Sequence, residues 1–401
     1  MSQSVAVSTG YRPGEREYRR LSVALFAAGL ATFALLYSTQ PLLPELVDDF
    51  QVSPGQSAFS VSFATFGLGL ALLVAGPWSE RIGRTTLMRW SVAATSFFAL
   101  LTAFAPTWHT LLALRGLQGI AMAGLPAVAM AYLREEVHAS SHARASGLYI
   151  AGTAVGGMSG RLVAGGLADI GGWRFGAAGI AIVGVLCAAV VWWLLPASRN
   201  FRPGSAHPKE LRVLRDPALL ALYGIAATAV GGFVAVYNGA VFRLSGEPYH
   251  LSAGAAGLVF CVYLLGSVGS ATAGTLADRH GRRAVVPVGC LITLAGVAIT
   301  LAAPLPMIVA GLAVMTAGFF AVHGVASGWV PARAHAAGVS TGQASSMYLF
   351  AFYLGSSAFG GLAGTAWSHG GWPGVALEAG VLFAVALVLT LLLRAVPRLD
   401  R

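Results

Sequence analysis

The sequence predicts an all-α integral membrane protein of twelve transmembrane helices, arranged as two pseudo-symmetric six-helix bundles with both termini cytoplasmic. Three observations lead to this expectation. Apolar residues make up 56% of the 401 residues and charged ones only 10%, where a soluble domain carries about 25% charged residues; the mean hydropathy is +0.73. A charged turn occurs twice at an offset of 198 residues, as GPWSERIGRT from Gly76 to Thr85 and GTLADRHGRR from Gly274 to Arg283. All but four of the 25 basic residues fall on one side when the apolar runs are threaded alternately through a bilayer, which is the asymmetry that orients membrane helices.

In chain order, residues 1–20 form an Arg-rich tail that leads into an apolar run without a signal-peptide cleavage site. The N-terminal bundle, 21–195, holds expected spans at 21–40, 57–78, 86–104, 108–132, 144–166 and 174–195. A basic stretch with Pro and Gly at 196–216 reads as the cytoplasmic linker. The C-terminal bundle, 217–394, holds spans at 217–240, 253–275, 284–303, 306–330, 338–362 and 373–394, and a tail covers 395–401. Each run is near the ~20 residues a helix needs to cross ~30 Å of hydrocarbon. Abundant Gly and Ala let such helices approach closely in lipid.

The cytoplasmic segments then carry Arg12, Arg16, Arg19, Arg20, Arg81, Arg84, Arg89, Arg134 and Arg144 in the first half. The linker adds Arg199, Arg202, Lys209, Arg212 and Arg215, and the second half adds Arg279, Arg282, Arg283, Arg333, Arg394, Arg398 and Arg401. The four exceptions are Arg115, Arg161, Arg174 and Arg243. The repeat extends beyond the turns. ADIGGWRFG from Ala168 matches AWSHGGWPG from Ala366, and Tyr149 and Tyr348 are 199 apart. Duplicated halves of membrane spans imply a transporter more than a receptor or an enzyme.

Composition also excludes. The net charge of +10 sits in short loops rather than on one continuous face, so no nucleic-acid partner is expected. Cys187, Cys261 and Cys290 lie in apolar runs without metal or disulfide spacing. No nucleophile–base pair, dimetal set or nucleotide loop stands out. The expectation is therefore no enzymatic activity, no cofactor and no metal, with the proton gradient as energy source. The expected partners are the lipid bilayer, protons and a small-molecule substrate, and the chain is expected to act as a monomer.

These features resemble the major facilitator superfamily over essentially the whole chain. Within it the sequence is similar to the bacterial twelve-span drug/proton-antiporter-like branch, and to the YnfM-like and predicted arabinose-efflux inner-membrane transporters. GTLADRHGRR nearly meets the family's G-x-L-A-D-R-x-G-R-K loop, with Arg283 for the final lysine. GPWSERIGRT departs at Trp78, Ser79, Glu80 and Thr85 but keeps a carboxylate at Glu80. RGLQGI, Arg115 to Ile120, resembles the R-x-x-Q-G motif. GTAVGGMSGR, Gly152 to Arg161, resembles the antiporter motif, with Gly157 in place of its proline and Arg161 in place of its last glycine. The resemblance implies two rocking bundles around a central cavity, commonly with proton-coupled export from the bacterial inner membrane.

Several residues are candidates for mechanism. Gly76, Glu80, Arg81, Gly83 and Arg84, with Gly274, Asp278, Arg279, Gly281 and Arg282, form two expected inter-bundle latches; the alternative is a topology anchor. Arg115, inside a span, is expected to face the bundle interior and share a polar network with Gln118 three residues on; in the resemblance it supports proton coupling. Arg161 follows the small-residue stripe Gly152, Gly156, Gly160, with Gly157 beside it, which suggests a close helix contact. It either attracts an anionic substrate group or pairs with Asp169 or an acid of the first span. Coupling carboxylates are sought at Glu378 and at Asp48 and Asp49, with Glu45 beside them. His323 is either a proton-exchanging cavity residue or a core histidine. Tyr37, Gln40, Tyr149, Tyr237, Asn238, Tyr263 and Tyr353 are candidate cavity residues, mixing aromatic surface with hydrogen-bonding groups. The leading expectation is a proton-coupled exporter of drug-like or sugar-like molecules. Uptake by symport and a non-transporting receptor or scaffold are the alternatives.

Overall fold

The computed structural model describes residues 10–201 and 211–396, all of it helix and connecting turns apart from one isolated bridge between Tyr11 and Val137. Arg202, Lys209, Arg398 and Arg401, and 202–210 of the expected linker, lie outside the described residues. The helices are α1 (Arg16–Leu36), α2 (Leu43–Phe50), α3 (Pro54–Ile82), α4 (Arg84–Ala103), α5 (Trp108–Met122), α6 (Gly124–Glu136) and α7 (His142–Leu194). After the linker come α8 (Pro217–Ser245), α9 (Ala253–Gly257), α10 (Tyr263–His280), α11 (Arg282–Ile299), α12 (Leu305–Ala336) and α13 (Thr341–Leu392).

The expected count of twelve transmembrane helices in two six-helix bundles is corrected by this architecture. Among the described residues, nine helical stretches are long and apolar enough to cross a bilayer. Two pairs of expected spans, 144–166 with 174–195 and 338–362 with 373–394, are each continuous in one helical element, α7 and α13. A third, 86–104, falls in α4, which is not among the nine; Arg84, Arg89 and its serines and threonines dilute its apolar character. The joins have a backbone cause. In α7 the helix is interrupted only at Gly171 and Gly172, the latter at φ +76°, and in α13 only at Gly371, at φ +54°. Glycine reaches positive φ without a Cβ clash, so the chain bends there without an intervening loop. Past the bend each element folds back on itself: a Cβ at Gly176 would run into the Ala164 carbonyl, and one at Gly374 into that of Ala366.

Local chemistry sets the other boundaries. α1 stops at Leu36, and Pro41 and Pro44 follow, which cannot donate to a continuing helix. α3 opens with a capping box, Ser53 accepting from Gln56 N–H and Gln56 accepting from Ser53 N–H. The two charged turns end α3 and α10 alike, with Gly83 at φ +88° and Gly281 at φ +84°. At α8 the Asp216 side chain caps Ala218 and Leu219 N–H and pairs with Arg333 at 2.8 Å. Burial pushes the Asp216 carboxyl up, but the Arg333 guanidinium and the two N–H groups outweigh it and hold it below the usual carboxylate range. A depressed carboxyl stabilises the fold above its unfolded value, near pH 4, and that contribution drains as pH falls through the lower folded value. The melting temperature of the purified protein should therefore fall with acidification below about pH 4, and Asp216→Asn should show a smaller fall over the same window. Parallel curves would remove this assignment.

Packing differs between the two ends of the molecule. Residues before and after the linker share one apolar core, while a second cluster, from Tyr11 to Leu195, lies in the first part alone. At the end holding α2 and the glycine bends, the two parts meet backbone to backbone. Gly364 packs on Pro54 and Gly55, and Gly165 on Ala253, so closely that an added Cβ would lie under 3.0 Å from the opposing backbone. At the opposite end, a Cβ at Gly76, Gly147, Gly274 or Gly342 would meet nothing within 4 Å. We term the first the sealed end and the second, where these four glycines make no such backbone contact, the splayed end.

Candidate functional site

The sealed end is held by a chain of polar contacts between the two parts. Gln40, in the broken segment after α1, donates to Asn238 Oδ1 of α8 at 2.7 Å, and Asn238 donates to the Gly360 carbonyl at 2.9 Å. Both side chains are buried. Ser62 and Ser357 exchange reciprocal bonds, each hydroxyl to the other's carbonyl, at 2.8 and 2.9 Å. Asp169 accepts from Ser252 Oγ at 2.7 Å and from Gly254 N–H at 3.1 Å. Gln40, Asn238 and Ser62 are buried, where polar groups are costly unless paired, so their bonds tie closure of the seam to specific partners; Asp169 and Ser252 are exposed.

Arg161 sits directly beneath this seam and is 1% exposed. Its Nε donates to Gln40 Oε1 at 2.6 Å, one terminal nitrogen donates to the Gly157 carbonyl, and the other reaches the Tyr263 hydroxyl at 3.3 Å. The rings of Tyr37, Phe260 and Tyr263 surround it at 4.5, 4.7 and 4.7 Å. Helix geometry puts it there: Gly152, Gly156 and Gly160 press α7 onto the carbonyls of Phe26, Leu30 and Ala34 in α1. A methyl group at any of the three would collide. Gly157 faces Arg161 instead, where a Cβ would make only ordinary contact.

Of the candidate cavity residues, the structure gathers Tyr37, Gln40, Tyr237, Asn238 and Tyr263 around this point. Tyr237 bonds Thr316 at 2.7 Å and packs on Phe233, Phe260 and Tyr263. Rings continue away from the seam: Phe233 stacks on Phe319 at 4.0 Å, Phe319 on His323 at 6.0 Å, and His323 lies 4.7 Å from Phe352, next to Tyr353. His323 Nδ1 is 3.0 Å from the Tyr348 hydroxyl. Tyr353 also packs against Gly69 of α3, and Tyr149 belongs to the α1–α7 contact away from the cage.

Arg115 is equally buried but differently satisfied. It donates to the carbonyls of Leu35 at 3.0 Å, Leu36 at 2.5 Å and Ser60 at 2.8 Å, and to Gln118 Oε1 at 2.7 Å. Leu35 and Leu36 are the last residues of α1, whose final carbonyls have no helical partner and carry the negative end of the helix dipole. Arg115 thus closes the break in α1, and its expected network with Gln118 is part of that closure.

The two charged turns differ. Arg84 is clasped by Glu80 at 2.7 Å and Glu135 at 2.9 Å, with Ser79 bonded at 2.5 Å. These three partners of Arg84 all belong to the first part. Against burial, the hydrogen bonds and charges of Glu135 and Glu80 raise the affinity of Arg84 for its proton. In the second copy Asp278, Arg279 and Arg282 are exposed, as is Arg81 in the first. Among the acids, Asp49 is taken by Trp173 at 2.9 Å and Arg174 at 3.2 Å, Asp48 is exposed, and Glu378 has both oxygens buried without a hydrogen bond.

The expected pairing of Arg161 with Asp169 or a first-span acid is not made, since Asp169 serves Ser252 and Gly254. Sequence reading passed over Phe260, Phe233 and Phe319, which nothing distinguishes among 20 phenylalanines. It also missed the link from Gln40 to Asn238, although these two residues are 198 apart, the same offset as the charged turns.

The sequence description of the Major Facilitator Superfamily matches residues 21–248 and 245–401. The chain is 42% identical over 384 residues to the inner membrane transport protein YnfM of Escherichia coli (strain K12), covering 94% of this chain and 90% of that protein. It is 39% identical over 388 residues to the uncharacterized MFS-type transporter YybF of Bacillus subtilis (strain 168), covering 95% of each. Among solved structures, a bacterial homolog to the human lysosomal transporter Spinster, inward-facing and unoccupied, superposes with a TM-score of 0.72 at 17% identity over 96% of each chain. The nucleoside transporter NupG superposes with a TM-score of 0.71 at 13% identity, over 94% of this chain and 99% of that one.

Proposed function

Because this chain belongs to the Major Facilitator Superfamily, we propose that it is a proton-coupled exporter of small organic molecules in the bacterial inner membrane, working by alternating access. The carrying observation is the asymmetry of the two ends: a seam of buried polar bonds at one, open space around Gly76, Gly147, Gly274 and Gly342 at the other. A ligand enters from the splayed end and follows the ring track from His323 to the Arg161 cage. The seam then parts while the splayed end closes. The side assignment follows the arginines of the charged turns, which face the cytoplasm in this reading. Each state is favoured by its own contacts, so a ligand shifts the balance by what it binds differently in the two.

Protons enter this scheme through His323, bonded to Tyr348, and Glu378, buried without a partner. Both lie in the part after the linker, whereas Asp49 is already committed to Arg174. The two charged turns adjust the balance between states, the first through Arg84, held by Glu80 and Glu135, and the second through the exposed Asp278, Arg279 and Arg282.

The test is a metabolite screen in cells stripped of other efflux systems. Mass spectrometry of the medium should show at least one small metabolite released faster when the chain is expressed, and a protonophore should abolish the difference. Faster depletion of a compound from the medium would make the protein an importer. Release indifferent to the protonophore would remove proton coupling.

A further inference from the structure

We propose that Arg161 is the receptor for an oxyanion on the transported molecule, a carboxylate or a phosphate, and that its arrival unlocks the seam through Gln40. The inference rests on the transport reading above and names the substrate class of that site.

Four arginines lie outside the basic loops, and three have a shared structural task. Arg115 covers the C-terminal carbonyls of α1. Arg174 donates to the carbonyls of Ala103 and Ala105 at the end of α4. Arg243 donates to those of Thr300 and Ala302 at the end of α11. In each, the cation meets the negative end of a helix. Arg161 covers no helix end. Its one carbonyl, that of Gly157, lies within its own helix, and its other partners are a neutral amide and a phenol.

No carboxylate forms an ion pair with Arg161 among the described residues. A guanidinium has five N–H donors, and here three are engaged, one of them at 3.3 Å. Burying a cation without a counter-charge is unfavourable. The faces of Tyr37, Phe260 and Tyr263 offset part of this through cation–π attraction, which leaves the edge donors unmet. That is the receptor an oxyanion needs: a preorganised fork in a dry, aromatic cage.

Location supplies the second half of the inference. Gln40 accepts from Arg161 through its oxygen and donates to Asn238 through its nitrogen. A single amide therefore joins the cation to the bond across the seam. An oxyanion competes for the Arg161 Nε–H as a counter-charge that can take two parallel N–H bonds, where Gln40 offers the same cation a single neutral amide oxygen. Gln40 is displaced, and its bond to Asn238 is lost with it.

The experiment compares matched pairs on the purified full chain: benzoate against benzamide, and glucose 6-phosphate against glucose. Two readouts are thermal stabilisation and thiol labelling of Ser62→Cys at the seam, with the native cysteines replaced. The charged member of at least one pair should half-saturate stabilisation at about tenfold lower concentration than its neutral match, and should raise labelling. Which pair responds separates carboxylate from phosphate. Arg161→Gln should erase the preference, and Arg161→Lys should keep part of it, as a point charge without the fork. Equal response to charged and neutral members, or no response to either oxyanion at millimolar concentration, overturns the oxyanion site, as does a preference that survives Arg161→Gln. Labelling that responds to pH but to no oxyanion sinks this inference alone. Labelling that responds to no ligand and no pH change sinks alternating access itself.

Discussion

Arg115→Met is expected to destabilise the protein by about 1 kcal/mol. The estimate has two opposing parts. The Leu36 carbonyl and Gln118 Oε1 lose their donor, at about 1–3 kcal/mol each when buried, while the Leu35 carbonyl keeps Ser38 Oγ and the Ser60 carbonyl keeps its place in the α3 helix. The cost of placing a cation inside the membrane, about 2.5–3.5 kcal/mol on insertion scales, is no longer incurred. The loss wins narrowly because no water reaches the two orphaned acceptors. Arg115→Lys should fall between, since an ammonium cannot span all three carbonyls and Gln118 together. Thermal unfolding in detergent checks both. The outcome also decides between two roles. A variant that keeps its melting temperature while losing only the proton dependence of transport would return Arg115 to proton coupling. A variant that melts early with its proton dependence intact makes Arg115 the clamp on the α1 break.

Asn238→Ala is expected to move the population away from the sealed arrangement by up to about tenfold, the equivalent of one hydrogen bond of 1–1.5 kcal/mol. The substitution removes the acceptor of Gln40 and the donor to Gly360 while leaving the Arg161 cage in place. Thiol labelling should rise at Ser62→Cys and fall at Gly274→Cys, because the sealed and splayed ends exchange. A rise at both would signal loosening rather than exchange. No change at either would mean that the bond between Gln40 and Asn238 is incidental to the seam.

Much of the architecture was readable from residues alone, for identifiable reasons. Apolar runs report burial in lipid directly, and a duplicated turn survives as a duplicated string, so Gly83 and Gly281 end their helices at nearly the same φ. The helix count was misread because hydropathy detects a polar dip but not whether the backbone stays helical through it. At Gly171–Gly172 and Gly371 the dip is a bend within one element. At α4 the polar side chains are tolerated because the helix packs on its neighbours.

The candidate site was readable by residue type and unreadable by partner. A cation away from the cytoplasmic loops announces a function or a fixed partner, and four such arginines look alike in the string. Only coordinates show that Arg115, Arg174 and Arg243 end on helix carbonyls while Arg161 does not. The glycine stripe before Arg161 was the stronger signal, because spacing alone fixes which face of α7 touches α1. Carboxylates misled for the converse reason. Asp49 looked available until Trp173 and Arg174 were seen to occupy it, and Glu378 drew notice for its depth rather than for any neighbour.

The chemistry of the seam has an environmental consequence. Its bonds run between amides, hydroxyls and carbonyls, and its one carboxylate, Asp169, is met by neutral donors. Dissolved ions weaken attraction between opposite charges over a Debye length of about 8 Å in physiological salt, but a dipolar contact this short gives them nothing to screen. The seam should therefore be indifferent to ionic strength: thiol labelling at Ser62→Cys should read the same in fresh water and in brine, and any salt dependence of transport would arise elsewhere in the molecule.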